Sequence, residues 1–384
     1  MLKESELNKT TEANSKTKEF IESLIQPAGI QINGPNPWDI KVYDSRFYQR
    51  LLAQESLGLG ESYMDGWWES EKLDEFFFHL IKGGVIGTRF NKLSNFLRLF
   101  LAKIYNYQNR ARAFQIGQQH YNISFELYQR MLDKDLNYSC AYWEATSDLA
   151  QAQKKKLDLI CRKLKLESGM RLLDIGSGWG ALAKYAAENY GVNVLGVTVS
   201  SEQIKIARER CKGLPIEFRL QDYRLLKEKF DRIVSVGMFE HVGYKNYPTY
   251  FETVTNCLKD NGLFLLHTIG GNRSRVTGDP WVLKYIFPNS MLPSMFQMTQ
   301  ASEGKLLLED CHNIGPHYDK TLIAWHQNFR KSWQDINHLS DERFYRMWQY
   351  YLLSFAGAFR ARFLHVWQLV FSKNGILGEY KSVR

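Results

Sequence analysis

The chain has 384 residues, 44% of them hydrophobic and 14% aromatic, and a formal net charge of +9 at pH 7. Its length predicts two domains; its apolar content excludes a disordered protein, and it has no run of about 18 apolar residues to span a bilayer. The positive balance points to an anionic partner, nucleic acid or an anionic membrane, and the many rings predict surfaces suited to lipid, a flat ligand or a cation.

Residues 1–18 are polar and of mixed charge and read as a solvated lead-in. Helical spacing over 19–30 puts Phe20, Leu24 and Ile25 on one face, with Gly29 as the stop. A turn cluster at 33–38 leads into a short strand at 39–43 and a helix at 45–55. Residues 58–69 are too rich in glycine and rings for an ordinary helix and predict a packed corner between elements. A helix at 71–82 carries Leu73, Phe76, Phe77, Leu80 and Ile81. Residues 76–125 contain no Asp or Glu but hold Lys82, Arg89, Lys92, Arg98, Lys103, Arg110 and Arg112. Within that stretch 90–105 reads as a basic amphipathic helix, either a membrane-surface element or a helix packed on its own domain. The expected division is a smaller, mostly helical domain at 1–105, a linker at 106–120 and a larger domain at 121–384.

From residue 148 strands and helices alternate. Helix 148–165, strand 170–174, helix 181–189, strand 192–197, helix 201–212 and strand 215–219 are followed by strand 231–236, helix 246–259 and strand 262–267. The pattern predicts a doubly wound, Rossmann-like α/β sheet. Residues 268–300 then form a long insert, functional or disordered by its length, whose Pro, Trp, Tyr and Phe content favours the functional reading.

Residues 172–180 (Leu-Leu-Asp-Ile-Gly-Ser-Gly-Trp-Gly) read as a buried strand that turns on Gly176, Gly178 and Gly180 into a helix. Glycine allows positive φ and close approach of a ligand, and the helix presents its positive end to it. Only Trp179 separates the last two glycines, where the dinucleotide fingerprint has two residues. That spacing, with Asp174 at the strand's end, favours S-adenosylmethionine, whose cationic methionine end suits a carboxylate that would repel a pyrophosphate. The alternative is a glycine turn of no function.

Ligands of such sheets sit beyond the carboxyl ends of the strands, which selects the remaining candidates. The second strand ends at Thr198, Ser200 and Gln203, a hydroxyl and amide set where a ribose-binding acid is common. The third ends near Gln221 and Asp222; Asp222 either accepts from an adenine amino group or caps a helix. Glu240, after the fourth strand, is the acid best placed to face substrate. His267 ends the fifth, as a site residue or a satisfied core histidine. Neither stands in a nucleophile-elbow context, so hydrolysis is poorly supported. The histidines lack metal spacing, and none of the five cysteines forms a CxxC pair. The odd cysteine count without a signal peptide points to reduced thiols in the cytoplasm.

Tyr138-Ser139-Cys140-Ala141-Tyr142-Trp143, the glycine turn and Phe239-Glu240-His241-Val242-Gly243 together resemble the cyclopropane-fatty-acyl-phospholipid synthases. The resemblance extends to residues 58–69, 284–288, His317-Tyr318 and 356–362, nearly the whole length. It implies an enzyme that transfers a methylene group from S-adenosylmethionine to a cis double bond in a phospholipid acyl chain, through a carbocation deprotonated by bound bicarbonate. It assigns bicarbonate to Glu240, His267, Tyr318 and the main chain of Cys140. It assigns the cofactor to Tyr138, Ser139, Gly176, Gly178, Thr198, Gln203 and Asp222. Trp281, Tyr285 and Phe287 of the insert would wall the acyl passage. The family further implies a homodimer, and the basic stretch a peripheral enzyme docked on the anionic inner face of the membrane. Two positions depart from the family: Phe355 stands where many members carry Cys, and His120-Tyr121-Asn122-Ile123-Ser124 replaces a His-Tyr-Asp turn.

Three rival readings compete. A small-molecule methyltransferase would not need the acid-free stretch or an apolar insert. A nucleic-acid methyltransferase acting on amino groups would carry Asn/Asp-Pro-Pro-aromatic where Met238-Phe239-Glu240 stands. A non-catalytic membrane module would not need Glu240, His267 and Tyr318 together.

Overall fold

The computed structural model describes residues 15–85 and 125–384. The expected lead-in through residue 14, the amphipathic helix at 90–105, the linker, the cations from Arg89 to Arg112 and the His120–Ser124 departure lie outside the described residues.

The N-terminal part is built from helices. Helix α1 (residues 15–25) continues as a single 3₁₀ turn, Gln26–Ala28, and stops at Gly29, whose φ is 67°. Its buried face is Ile21, Ile25 and Ala28, whereas Phe20 is 46% exposed. The expected Phe20–Leu24 row lies one residue, about 100°, round from the face that packs. Strands β1 (Lys41–Val42) and β2 (Trp68–Glu69) pair antiparallel on either side of α2 (Arg46–Met64). Helix α2 breaks at Glu55 (φ 52°, ψ −127°), so residues 58–64 form a second helical piece where a corner was expected. Gly60 explains it: a Cβ there would stand inside the Trp281 indole ring. The glycine is a contact point rather than a helix breaker. Helix α3 (Leu73–Lys82) buries Leu73, Phe76, Phe77 and Leu80, as its spacing predicted.

The larger part is the expected α/β sheet. Helices α4 (Phe125–Met131) and α5 (Leu149–Lys163) precede β3 (Arg171–Ile175), α6 (Ala181–Tyr190), β4 (Asn193–Thr198), α7 (Ser201–Arg210) and β5 (Ile216–Leu220). Then come β6 (Phe230–Val236), α8 (Tyr247–Cys257), β7 (Leu258–Gly271), α9 (Pro280–Tyr285), α10 (Met295–Ser302) and β8 (Leu307–Asn313). Helices α11 (Pro316–Ile336) and α12 (Glu342–Arg360) and strand β9 (Leu364–Ser372) complete it. The strand order is β5-β4-β3-β6-β7-β9-β8, with β5 through β7 mutually parallel and β9 antiparallel to both neighbours. The winding reverses between β3 and β6, which opens a crevice at their carboxyl ends.

Strand β7 runs four residues past its expected end because β9 pairs with it from Leu263↔Ser372 to Gly271↔Leu364. The insert therefore starts after Gly271. The N-terminal helices share an apolar core with α11 and α12: Phe47, Trp68 and Phe76 belong to the same cluster as Trp325, Trp348 and Phe359. Arg360 ties the parts further, pairing with Asp74 (2.7 Å) and Glu75 (2.5 Å) of α3 and with Asp319 (2.9 Å) of α11.

Candidate active site

The glycine turn caps β3 as expected, with φ of 86° at Gly176, 52° at Gly178 and 84° at Gly180, conformations that side-chain-bearing residues rarely adopt. The amides of Gly176 (2.9 Å) and Ser177 (3.1 Å) donate to Val197 O, which fastens the turn to β4. Gly180 opens α6 but faces inward toward Phe218, away from the cavity described below. Trp179 packs its ring near Tyr128 (5.1 Å) and Phe125 (6.2 Å). Asp174 is buried beneath the turn, and that burial raises its carboxyl to about 7 against the opposing field of Lys156.

At the end of β4, Thr198 Oγ1 donates to Gln203 Oε1 (2.9 Å), and Ser200 caps α7 by accepting from Gln203 N (3.4 Å). Gln221 N donates to Thr198 O (3.0 Å). Asp222 adopts the cap role: its Oδ1 accepts from Arg224 N (2.9 Å), and the Arg224 guanidinium holds both carboxylate oxygens (2.9 and 2.5 Å). It still lines the cavity, beside Gln221 and Tyr223.

Glu240 sits in the 3₁₀ turn Phe239–His241 after β6, fully buried. Its Oε1 accepts from Ile269 N (2.7 Å), while Oε2 is buried with no hydrogen-bond partner among the described residues. Burial raises the carboxyl to about 7. His267 on β7 pairs in register with Val236 of β6 and Gln368 of β9. The Gln368 amide meets its Nδ1 (3.3 Å), leaving Nε2 without a protein partner among the described residues. Burial, and then Lys156 and Lys163, depress the imidazole well below its ordinary range, so it is neutral near pH 7. Tyr318 enters from the first turn of α11, its ring against Phe359 (4.7 Å) and Trp325 (5.8 Å) and its hydroxyl pushed up by burial. Cys140 is buried with its thiol pushed up and donating to Ala141 O (3.3 Å), so it is not a nucleophile. Tyr138 meets the Tyr351 hydroxyl (3.0 Å).

These groups converge on one cavity of about 1340 Å³, above the ~300–1,000 Å³ of an ordinary small-ligand site. Its polar end holds the glycine turn, Asp222, Glu240, His267, Tyr318 and the 138–140 segment. Its apolar end is walled by Ile25, Phe47, Leu51, Phe76 and Leu80 of the N-terminal helices, so the passage crosses both parts of the chain. Trp281, stacked near Tyr350 (4.5 Å), and Phe287, near Tyr351 (5.6 Å), lie on the wall. Tyr285 does not: its hydroxyl donates to Glu61 Oε1 (2.7 Å), beside Lys284 (2.5 Å) and Arg50, in a polar cluster that fixes α9 to α2. An aromatic residue with a hydroxyl seeks a partner when half-buried, and the adjacent acid won over the apolar wall.

Lys156 escaped the sequence reading. Its buried ammonium donates to Asn137 Oδ1 (3.0 Å) and Ser139 Oγ (3.1 Å), and burial lowers it to about 8. The signal was present: Ala152, Lys156 and Ile160 recur at a spacing of four on the buried face of α5.

The reversed last strand, the glycine turn at the switch point and the mixed cavity define the class as an S-adenosylmethionine-dependent methyltransferase. Two solved structures share the architecture. The cyclopropane synthase MmaA2 from Mycobacterium tuberculosis is 30% identical with a TM-score of 0.64, and the mycolic acid cyclopropane synthase CmaA1, in complex with SAH and CTAB, is 32% identical with a TM-score of 0.63. Each match covers 68% of this chain and 98% of the other. The cyclopropane-fatty-acyl-phospholipid synthase of Escherichia coli K12 is 52% identical over 350 residues, 91% of this chain and 92% of the relative. Residues 108–369 match the model of the mycolic acid cyclopropane synthetase family, and the chain belongs to that family. Its relatives are S-adenosylmethionine-dependent cyclopropane synthases and methyltransferases, and the glycine cradle and the volume beside it fit that cofactor.

Proposed function

We propose that this chain adds one carbon from S-adenosylmethionine across the cis double bond of an unsaturated acyl chain in a membrane phospholipid, closing a cyclopropane ring. The observation that carries the reading is Glu240 Oε2, a buried carboxyl oxygen without a partner among the described residues, on a cavity that joins the glycine turn to an apolar passage. When bound, S-adenosylmethionine supplies an electrophilic methyl carbon and bicarbonate supplies a base. The protein's groups suit the second ligand. Glu240 Oε2 can accept from that ligand's hydroxyl, and among the described residues the Tyr318 hydroxyl, His267 Nε2 and the Cys140 amide make no hydrogen bond and are open to its oxygens. Glu240, held at Oε1 by Ile269 N–H, is fixed for that work.

An alkene is a weak nucleophile, so the donor carbon must be held close and in line; Thr198, Gln203, Asp222 and the 138–140 segment do this by fixing the walls around the cofactor. A cation on the acyl chain survives only against ring faces, beside a held anion and away from water. Trp281, Phe287, Tyr318 and Phe355 line the passage with rings. With Phe355 at that position, no thiol there takes part.

The same reading makes the protein a peripheral, homodimeric enzyme on the inner face of the membrane, with the acid-free stretch 82–112 supplying cations. Each cation near an anionic surface contributes about 1 kcal/mol, and salt screens it. Vesicle binding measured by sedimentation should therefore weaken as salt rises; insensitivity to salt would remove the electrostatic part. For the chemistry, depleting bicarbonate from the buffer should slow turnover, and Glu240→Ala should abolish it while S-adenosylhomocysteine still binds. Unchanged turnover in that variant would take Glu240 out of the mechanism.

A further inference from the structure

We propose that Arg273, Arg275 and Arg362 form a phosphodiester-binding site at the mouth of the cavity, which holds the headgroup phosphate of the phospholipid whose acyl chain enters the passage. The lipid reading above supplies the tail; the site itself rests on separate observations.

All three arginines line the cavity and are solvent-exposed, unlike its buried polar groups such as Glu240 and His267. They are brought together by register. Gly271 on the outgoing strand β7 pairs with Leu364 on the incoming strand β9. Arg273 follows Gly271 by two residues and Arg362 precedes Leu364 by two, so both stand just outside the same end of that strand pair. Among the described residues no carboxylate is in ion-pair contact with any of the three, whereas Arg224, which also lines the cavity, is paired with Asp222. Arg275 lies over the ring of Phe363 (5.7 Å), the residue that follows Arg362, which orients its guanidinium. The loop that carries Arg273 and Arg275 is pinned: Ser274 Oγ meets Ser294 Oγ (2.7 Å), and Gln297 Nε2 donates to Arg275 O (3.0 Å).

Arg362 adds a second kind of observation. It ends α12 in a Schellman arrangement, with Phe363 N donating to Ala358 O and Arg362 N to Phe359 O, both at 3.0 Å. Its φ is 60°, at the position where glycine is preferred. A long cationic side chain held there against backbone preference points to use of the side chain rather than of the turn. Guanidinium groups match phosphate oxygens in pairs. An apolar passage below three unpaired guanidiniums is the shape of a two-tailed anionic amphiphile entered tail first.

The test is a titration of the full-length protein, followed by tryptophan fluorescence, with three saturated and therefore unreactive probes. These are a short-chain phosphatidylglycerol below its micelle concentration, the matching diacylglycerol, and glycerol 3-phosphate. The wild type should bind the phospholipid more tightly than the diacylglycerol. Arg273→Gln with Arg275→Gln should weaken phospholipid binding by about tenfold or more and leave diacylglycerol binding unchanged. Arg362→Gly should weaken it as well while raising Tm, since glycine relieves the left-handed backbone; a merely structural arginine would not move the two in opposite directions. The site is overturned if the wild type shows no preference for the phospholipid, if the variants bind both lipids as the wild type does or lose both alike, or if glycerol 3-phosphate binds as tightly as the phospholipid. The probes cannot react, so absence of ring formation with this binding pattern intact would fail the proposed reaction and leave the site standing.

Discussion

Glu240 and Asp174 are held at a cost to the fold. Each is buried with its carboxyl raised to about 7, from ordinary values of 4.5 and 3.8. The folded protein therefore keeps protons that the unfolded chain releases, so stability falls as pH rises from about 4 to about 7 and stays lowered above. Glu240→Gln removes one share of that penalty. At pH 8 the ligand-free variant should be more stable than the wild type by up to ~2–3 kcal/mol, with the difference gone near pH 4, by denaturant titration at each pH. A difference independent of pH would mean that Glu240 does not carry the buried charge. Glu240 and His267 were legible in sequence because strand ends of such sheets face ligand, and both lie at neighbouring ends. Lys156 and Tyr285 were not. A buried lysine satisfied by Asn137 and Ser139, and a tyrosine drawn off by Glu61, depend on partners far away in sequence.

At the scale of elements, the strands of the parallel sheet were legible within a residue or two because each is a short apolar run bounded by turns. The bounds of β7 were not: it starts at Leu258, four residues before the expected 262, and the antiparallel partner that prolongs its other end arrives about a hundred residues later. The second piece of helix α2, residues 58–64, was misread as a corner for the same reason, while its first piece was legible as a helix. Its glycines look like breakers until Trp281 of α9 is seen against Gly60. Gly60→Ala should therefore destabilise the protein by about 1–3 kcal/mol through overpacking, although alanine is the better helix former. A gain in Tm would show that the indole moves aside and that the contact is not tight. Trp281 also lines the cavity, so the same variant should disturb lipid binding more than binding of S-adenosylhomocysteine.

For the whole molecule, one apolar core runs across the helical part and the α/β part. The apolar end of the cavity belongs to the N-terminal helices and the polar end to the sheet. Arg360 holds three carboxylates where the parts meet and is itself partly exposed. Its replacement by Met should cost roughly 1–3 kcal/mol, less than a fully buried network would, because solvent screens part of it. Thermal unfolding should remain one transition in the wild type, and separate transitions in Arg360→Met would mark Arg360 as the tie between the parts. The most direct measurement joins both ends of the cavity: purified protein, S-adenosylmethionine and vesicles of unsaturated phospholipid, with the released fatty acids read by mass spectrometry. The expected result is a gain of ~14 Da, one CH₂, with loss of the double bond. Unaltered acyl chains from a protein that still binds S-adenosylhomocysteine would contradict it.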